Sequence, residues 1–235
     1  MNGRRVTLTL LTVAVLVLTG TAPAHAAYAP TPRAGTWIPN GHVFAVAVHG
    51  DRVYIGGAFT SVRNPATGTS VPRGRLAAFD ATTGDLVREF DATANDLVRS
   101  LAVSADGSRV YAGGDFLRVN GTSRTRLAAL DRTGDLVPGW NASATNTVRD
   151  LVVQGDALFA VGRFSRMNGV RRNGLARLDA SSGQLATSWT AHLLEGRAFA
   201  LALSPDGTRL VVGGGFEGID DVRHSFLASV TVAEG

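Results

Sequence analysis

The sequence predicts an all-β fold, a β-propeller of four-stranded antiparallel blades, because one long phrase recurs four times along the chain. A Gly-rich element ending in Phe marks each copy, and these residues, spaced by 57, 48 and 52 positions, are Phe59, Phe116, Phe164 and Phe216. A second phrase beginning Leu-Ala follows each of them, at Leu76, Leu127, Leu175 and Leu227. A period of this size is typical of stacked supersecondary units. No segment after the first 26 residues has a sustained helical period.

Each copy begins with two predicted strands joined by a tight turn. The first strand is almost wholly apolar, which suits a strand buried on both faces; the four instances are Val43 to Val48, Val98 to Val103, Val148 to Val153 and Ala198 to Leu203. Gly and Asp follow, and these residues favour hairpin turns because such turns need positive φ. The second strand ends in the Gly-rich element, and Gly inside a strand indicates a bulge or a close backbone approach.

The third and fourth strands complete the unit. The Leu-Ala phrase is the third strand, and a turn from Asp to Gly closes it, as in Asp80 to Gly84. The fourth strand ends in an aromatic residue, at Phe90, Trp140 and Trp189. Four antiparallel strands per repeat, with Gly and aromatic residues at fixed offsets, are the pattern of a propeller blade. A β-sandwich is the competing architecture, but it has no reason to repeat so long a phrase.

The spacing divides the chain into about four blades. Their predicted bounds are 43–92, 97–142, 147–191, and 198–231 plus 34–39. The fourth copy lacks its last strand, and Trp37 has the spacing of a fourth-strand aromatic with no blade before it. We therefore expect the N-terminal strand to complete the last blade, which would protect exposed sheet edges. An open arc and a pairing of two chains into an eight-bladed ring remain as alternatives.

The first 26 residues have the pattern of a secretory signal peptide. Arg4 and Arg5 form a basic start, an apolar stretch from Val6 to Leu18 follows, and Ala24-His25-Ala26 is a small-x-small cleavage site. An uncleaved anchor is the alternative, although the apolar stretch is short for a membrane span. We expect export, residues 27–33 as a linker, residues 34–235 as the propeller, and no membrane span after cleavage.

The composition fits an exported bacterial protein that is held together by packing. There is no Cys, the 23 basic residues are all Arg, and the formal net charge is +4. The two Arg of the leader account for half of that charge, so the mature chain gives no reason to expect a nucleic-acid partner.

The repeat resembles the delta-60 type β-propeller repeat of exported bacterial proteins. The resemblance rests on Val-Tyr-x-Gly-Gly-x-Phe, Val-Asn-Gly and Arg-x-x-Leu-Ala-Ala-Leu-Asp-x-x-Thr-Gly-x-Leu followed by Trp, and it covers nearly all of residues 36–231. The Leu-Asp-x-x-Thr-Gly-x-Leu part is also similar to the quinoprotein repeat. The resemblance implies a propeller fold and an exterior location, and it implies no activity.

The loops predict a disc with two different rims. Turns on one rim are rich in Asp, whereas the first three connections between second and third strands, on the other rim, are rich in Arg. The fourth connection, residues 217–226, breaks the pattern with three acidic residues against one Arg. We consider six arginines of the first three connections as ligand-binding candidates: Arg63, Arg73, Arg118, Arg124, Arg166 and Arg172. Such a basic rim could hold an anionic glycan or cell-wall polymer through the planar guanidinium fork, or another protein. In the competing interpretation, Arg73, Arg124 and Arg172 bond to the backbone or to a neighbouring blade.

The sequence predicts no catalytic residue, no metal site and no cofactor. The mature chain's four histidines, His42, His49, His192 and His224, lack metal-ligand spacing. Nearly every Asp of the repeats has a turn role, and the Trp residues are expected to pack between blades. The sequence therefore favours an exported, non-enzymatic binding or scaffold module at the bacterial cell surface or outside the cell, with a carbohydrate-active or quinoprotein-like propeller enzyme as the alternative.

Overall fold

The computed structural model describes residues 35–233, and every regular element within them is a β-strand. These residues fall in one structural unit, Ala34–Gly235. The predicted signal peptide and linker lie outside the described residues. Within residues 35–233, no helix is long and apolar enough to cross a membrane.

Each of the four sequence repeats forms a three-stranded antiparallel sheet whose middle strand is the second strand of the repeat. We call these sheets blades 1 to 4. Blade 1 consists of β2 (Val43–His49), β3 (Arg52–Gly57) and β6 (Leu76–Asp80). Blade 2 consists of β7 (Val98–Val103), β8 (Val110–Gly114) and β11 (Leu127–Leu130). Blade 3 consists of β12 (Val148–Gln154), β13 (Ala157–Gly162) and β16 (Leu175–Asp179). Blade 4 consists of β17 (Gly196–Leu203), β18 (Arg209–Phe216) and β21 (Leu227–Thr231).

The predicted all-β, antiparallel fold class is thus confirmed, and the fourth strand is its shortest element. In blades 1 to 3 this strand contacts the sheet through a single bridge pair, Phe79–Leu86, Leu130–Leu136 and Leu178–Leu185. The Asp-to-Gly turn before it leaves room for only this pair before the chain departs for the next blade.

A small hairpin stands between the second and third strands of every blade, in connections that are rich in Arg in blades 1 to 3. The four hairpins are β4 (Ser61–Arg63) with β5 (Ser70–Pro72), β9 (Arg118–Val119) with β10 (Thr122–Ser123), β14 (Arg166–Met167) with β15 (Val170–Arg171), and β19 (Gly218–Ile219) with β20 (Val222–Arg223). They carry the candidate rim arginines.

The described part of the N-terminal segment lies on blade 1, whereas the sequence predicted that residues 34–39 would complete the last blade. β1 (Ile38–Pro39) pairs with β4 of blade 1. Trp37 is buried in a cluster with Phe59 and other apolar residues of blade 1. No strand pairing joins residues 35–39 to blade 4.

The later repeats show why the segment takes this place. After Phe90 the chain crosses to blade 2, where Ala94 forms a bridge with Val119 of the hairpin. Each of blades 1 to 3 thus ends in an aromatic residue whose following segment belongs to the next blade. Trp37 and β1 follow the same rule. Trp37 has the place of the aromatic residue that ends a blade, and β1 after it pairs with the hairpin of blade 1.

The four blades form an arc with two free faces in this structure. Their first strands, which we call the inner strands, lie side by side in the order β2, β7, β12, β17. Among the described residues, no strand of blade 1 pairs with a strand of blade 4. Val46 on β2 is 61% exposed and Leu227 on β21 is 64% exposed, so both ends of the arc present apolar surface.

The hydrophobic cores lie between consecutive blades. In each of the three junctions, the aromatic residue that ends one blade contacts a ring of the same blade's middle strand. The ring pairs, with centroid separations of 5.2, 5.9 and 5.6 Å, are Tyr54–Phe90, Tyr111–Trp140 and Phe159–Trp189. Trp140 Nε1 also donates to the carbonyl of Ala180 in blade 3 at 3.0 Å. The prediction that Trp residues pack between blades is therefore confirmed for Trp140 and Trp189, whereas Trp37 packs on blade 1 alone.

One glycine of the Gly-rich element is required by a close backbone approach. It is Gly57, Gly114, Gly162 and Gly214 in the four blades. A Cβ at these positions would lie between 2.0 and 2.3 Å from the carbonyl oxygen that precedes or begins the inner strand. Because that oxygen is backbone, no side-chain movement can relieve the clash.

We expect Gly214→Ala to destabilise the protein by about 1–3 kcal/mol, since its Cβ would lie 2.3 Å from the carbonyl oxygen of Arg197. The neighbouring substitution Gly215→Ala is the control, because its Cβ would meet only Phe199, at 3.8 Å. Denaturant unfolding of both variants measures the difference. Equal stability of the two variants would contradict the close-approach argument.

The turn aspartates have the predicted local role. Asp80 accepts the backbone N–H groups of Thr82 and Thr83, and these bonds, Thr83 first, lower the pKa of Asp80. In the turn between β17 and β18, the Ser204 hydroxyl and then the Thr208 N–H and hydroxyl lower the pKa of Asp206 to about 2. These carboxylates stabilise turns in their charged form.

The pH dependence follows from the sign of this shift. Because the folded-state pKa of Asp206 lies below its usual value of 3.8, its stabilising effect is fully present above pH 3.8. The effect is lost as the pH falls through about 2. Carboxyl chemical shifts recorded by NMR between pH 5 and pH 1.5 (about the practical limit) should give this low midpoint. A midpoint at 3.8 or above would show that the turn bonds do not favour the charged form.

Candidate functional site

A β-bulge in each inner strand turns one residue out of the strand pairing. The pairing register skips one residue near the start of β2, β7, β12 and β17. The skipped residues are Phe44, Arg99, Arg149 and Phe199. Bulges of this kind re-aim a side chain and are common next to functional sites. The inner edge of the arc therefore carries a row of aromatic, Arg, Arg and aromatic side chains.

These four side chains contact one another in pairs. The guanidinium of Arg99 lies over the ring of Phe44 at 5.7 Å, and that of Arg149 lies over Phe199 at 5.6 Å. Both rings remain about half exposed, at 47% and 49%. Cation–π contacts thus hold each arginine against a ring that still has a free surface.

The residue before Phe in the Gly-rich element contributes further charges at the same end of the blades. Asp115 accepts from Arg99 Nε and Nη2, both at 2.6 Å, and from the Thr147 hydroxyl. Arg126 donates to the backbone carbonyl of Asp115. The Arg99 and Asp115 side chains are 25% and 17% exposed, so this ion pair is partly withdrawn from water.

Arg149 links this ion pair to two further arginines, Arg163 and Arg197, because its charge interacts with all of them. Burial lowers the pKa of the Arg149 guanidinium, and the positive charges of Arg99, Arg163 and Arg197 lower it further, whereas Asp115 opposes them. Arg163 and Arg197 are exposed, and Arg149 Nε has no hydrogen-bond partner. We define Arg99, Arg149, Arg163, Arg197 and Asp115 as the arginine cluster, whose four positive charges and one negative charge sum to +3.

A second carboxylate on the inner strands has a structural role. Asp150 accepts from the Ser100 hydroxyl at 3.0 Å and from the backbone N–H groups of Leu151 and Leu201, both at 2.8 Å. It therefore joins blades 2, 3 and 4 beside their bulges. Since fixed donors occupy both of its oxygens, this arrangement favours a tie between blades over a catalytic acid.

The rim arginines named by the sequence divide into two groups. Arg73 is buried and bonds to the Asp91 carboxylate at 2.9 Å and to backbone carbonyls, while Arg124 and Arg172 are half-buried and donate to carbonyls of their own repeats. These bonds agree with the backbone-bonding interpretation of these three residues.

The other three rim arginines are exposed. Arg118 and Arg166 each donate to the carbonyl of the Gly three residues later, at 3.1 and 2.9 Å, and so close their own hairpins. Arg63 lies on β4. Each of the six rim residues thus stays in or beside its own hairpin, and the structure assigns none of them to the arginine cluster.

Sequence reasoning missed every member of the arginine cluster, although a signal was present. Arg99 and Arg149 each follow the first Val of a mainly apolar inner strand, and a buried strand has no place for such a side chain unless it is turned out. Asp115 and Arg163 stand between the invariable Gly and Phe of the repeated element. Charged residues at fixed places in an apolar frame were the available clue. Within residues 35–233, no three His, Asp or Glu side chains form a group suited to a metal.

The comparisons with known proteins support the propeller fold. Residues 158–188 match the model of a β-propeller domain of unknown function, DUF5122. The matched segment begins in β13 and ends near the end of blade 3. No curated protein matches the chain.

Solved structures show the same architecture. The computationally designed Ika4 protein is 14% identical, with 82% of this chain and 92% of that chain covered and a TM-score of 0.50. The WD40 repeats of RRP9 are 11% identical, with a TM-score of 0.53 over 85% of this chain, which spans 55% of that one. At these identities the likeness shows the fold alone.

We expect Asp115→Asn to lower the free energy of unfolding by about 1–2 kcal/mol, because Arg99 loses its charged partner. The net charge of the cluster rises from +3 to +4, so a bound polyanion should restore more stability to the variant than to the wild type. Melting temperatures with and without about 1 mM tripolyphosphate, a concentration too low for general salt effects, measure this.

Asp135→Asn is the control, since it changes the overall charge equally on the opposite rim. An equal gain of melting temperature in the wild type and in both variants would exclude anion binding at the cluster.

Proposed function

We propose that the protein is an exported, non-enzymatic β-propeller that binds an anionic polymer at its arginine cluster. The observation that carries this proposal is the arginine cluster at the inner edge of the arc, where Arg99 is paired with Asp115. In the same cluster, Arg149 is subject to the like charges of Arg99, Arg163 and Arg197. A cluster with three uncompensated positive charges is electrostatically costly unless an anion shares the site. Burial and the like charges of its neighbours lower the pKa of Arg149, so this residue shows the cost most clearly.

The chemistry of the cluster supports a carboxylate or phosphate ligand. Guanidinium groups bind such groups through two parallel hydrogen bonds, which a lysine cannot match. Phe44 and Phe199 add exposed rings at either end of the row, and aromatic rings pack against the apolar faces of sugars. Together these features favour an anionic glycan or a sugar-containing wall polymer over a small inorganic anion.

The expected location supports the same ligand class. The leader predicted for residues 1–26 would place the propeller outside the cytoplasm, where anionic polysaccharides are the abundant polyanions of the bacterial surface. The exposed rim residues Arg63, Arg118 and Arg166 would extend the basic surface around the cluster and act mainly by attracting the polymer at long range.

Binding without turnover is the preferred form of this function. In the carbohydrate-active alternative, a pair of carboxyl groups must act as acid and as base or nucleophile. Asp115 and Asp150 instead accept bonds from fixed arginine, hydroxyl and backbone donors. Their geometry supports structural roles.

We expect Arg99→Ala with Arg149→Ala to weaken binding of polygalacturonate at least tenfold, because charge-assisted hydrogen bonds contribute about 1.5–3 kcal/mol each. Isothermal titration calorimetry at about 20 and 200 mM salt should show strong salt dependence in the wild type. Uncharged dextran should not bind, and the polymer should keep its chain length during the titration.

The matched control is Arg118→Ala with Arg166→Ala, which removes the same charge from the rim. This variant should lose less than threefold, which corresponds to about 0.6 kcal/mol. Equal losses in the two double variants would assign binding to net charge or to the rim, and shortening of the polymer would favour an enzyme.

A further inference from the structure

The two free faces of the arc repeat faces that are buried elsewhere in the same chain. The front face of a blade is the one that packs on the blade before it. On the front face of blade 1, which points away from blade 2, Val46 is 61% exposed. The residues with the same place on the next three inner strands are Leu101, Leu151 and Leu201, and they are 8%, 4% and 9% exposed. Those three residues are covered by the preceding blade, and no blade precedes blade 1 within residues 35–233.

The rear face of a blade is the one that packs on the blade after it, and the rear face of blade 4 is free in the same way. Leu227 is 64% exposed, whereas the residues in its place on blades 1 to 3, Leu76, Leu127 and Leu175, are at most 1% exposed. Phe226 beside it is 69% exposed. Blade 4 therefore presents the surface on which a following blade packs in every other repeat.

The side chains of each junction match in size. A Cβ on Gly56 of blade 1 would lie 2.5 Å from Val98 of blade 2, and a Cβ on Gly113 would lie 2.7 Å from Val148. A valine of one blade thus fills the space above a glycine of the blade before it. In the third junction the sizes are exchanged, since Val161 and Ala198 occupy these two places and share one core cluster.

The free faces fit the first of these combinations. Gly213 has the place of Gly56 on the rear of blade 4, and an added Cβ there would meet nothing within 4 Å. Val43 has the place of Val98 on the front of blade 1 and is 39% exposed. Val43 therefore has no glycine facing it, and Gly213 has no valine facing it. These two residues lie on the free faces at opposite ends of the arc.

An aromatic residue and a groove are matched in the same way. At the inner junctions, Phe90, Trp140 and Trp189 lie between Tyr54, Tyr111 or Phe159 and the following blade. On blade 4, Val211 has the place of Tyr54, Tyr111 and Phe159. It lines a groove of about 680 Å³ together with Ile219, Leu227 and Val230. Trp37, packed on blade 1, has the place of the aromatic residue that would fill such a groove.

The hairpin loops at the two ends carry opposite charge. Residues 60–75 of blade 1 contain Arg63, Arg73 and Arg75 and no acidic residue. Residues 217–226 of blade 4 contain Glu217, Asp220 and Asp221 against a single Arg223. Within their own blades, Arg73 is paired with Asp91 and Glu217 with Arg223. When blade 1 packs behind blade 4, these loops become neighbours, and the charges that remain, Arg63 and Arg75 against Asp220 and Asp221, favour that order.

We propose that the occupant of each free face is a second copy of this chain, joined head to tail. Blade 1 of each copy packs on blade 4 of the other, so that two arcs close into one ring of eight blades. The two faces of one chain differ, and such heterologous contacts generate a closed ring when the rotation between copies permits it. Eight blades lie within the range that propellers use. This proposal is independent of the ligand, since it rests on the free faces alone.

The oligomeric state of the protein, purified after export by a bacterial host, tests the proposal. Size-exclusion chromatography with light scattering should give twice the mass of one chain at micromolar concentration. A monomer would overturn the proposal, and so would a series of open polymers.

Gly213→Val separates the interface from the fold. Its side chain has free space within its own chain, so the folded protomer should persist in circular dichroism, while dissociation of the dimer should become about a hundredfold easier through overpacking at both contacts. The control Ser123→Val places the same side chain on an exposed hairpin strand and should leave the mass unchanged.

The second substitution Val43→Ala should restore the dimer of Gly213→Val to within about tenfold of the wild type. It recreates the Val161 and Ala198 combination of the third junction. A dimer that tolerates Gly213→Val, or one that the second substitution fails to restore, would overturn the assigned faces.

Discussion

The packing of one sheet against the next is the interaction on which this structure depends. The aromatic pairs and the aliphatic residues around Leu127 and Leu151 are buried between blades, so that a single blade would leave most of its apolar surface in water. A chain built in this way must end in two unsatisfied faces unless it closes on itself. The exposed Val46 and Leu227 are a consequence of the architecture, since the other repeats bury a leucine at each of these two places.

The bulge near the start of each inner strand turns one side chain away from the packing between blades, so that this side chain can serve a function. Gly57, Gly114, Gly162 and Gly214 permit the close backbone approach that the bulge needs. The turned-out residue lies outside the inter-blade cores and is free to vary, which is why Phe and Arg both occur there. The scaffold thus holds four variable positions side by side, and charges contributed by Asp115 and Arg163 join them from the adjoining middle strands.

The fold could be predicted from the sequence because its determinants are local and repeated. Turn aspartates, apolar inner strands and the terminal aromatic residues each recur with the period of the blade. The arginine cluster could not be predicted in this way. The residue at the bulge and the residue before the Phe of the Gly-rich element differ from repeat to repeat, and the charged ones meet only when the inner strands lie side by side. The place of Trp37 was also misjudged, because spacing identifies it as a fourth-strand aromatic residue but does not say that such a residue packs on the blade that follows.

The two proposals meet at the inner edge of the arc. In a ring of two copies, Phe199 of one copy would stand beside Phe44 of the other, because these residues occupy the bulges of adjacent inner strands at each new junction. Arg99 and Arg149 would then form a pair on each side of the ring, separated by aromatic residues. When two arcs close into a ring, the arginine clusters of the two copies would lie on opposite sides of a common channel. A polymer with regularly spaced charges could contact both, and the affinity gained from two linked sites exceeds that of either alone.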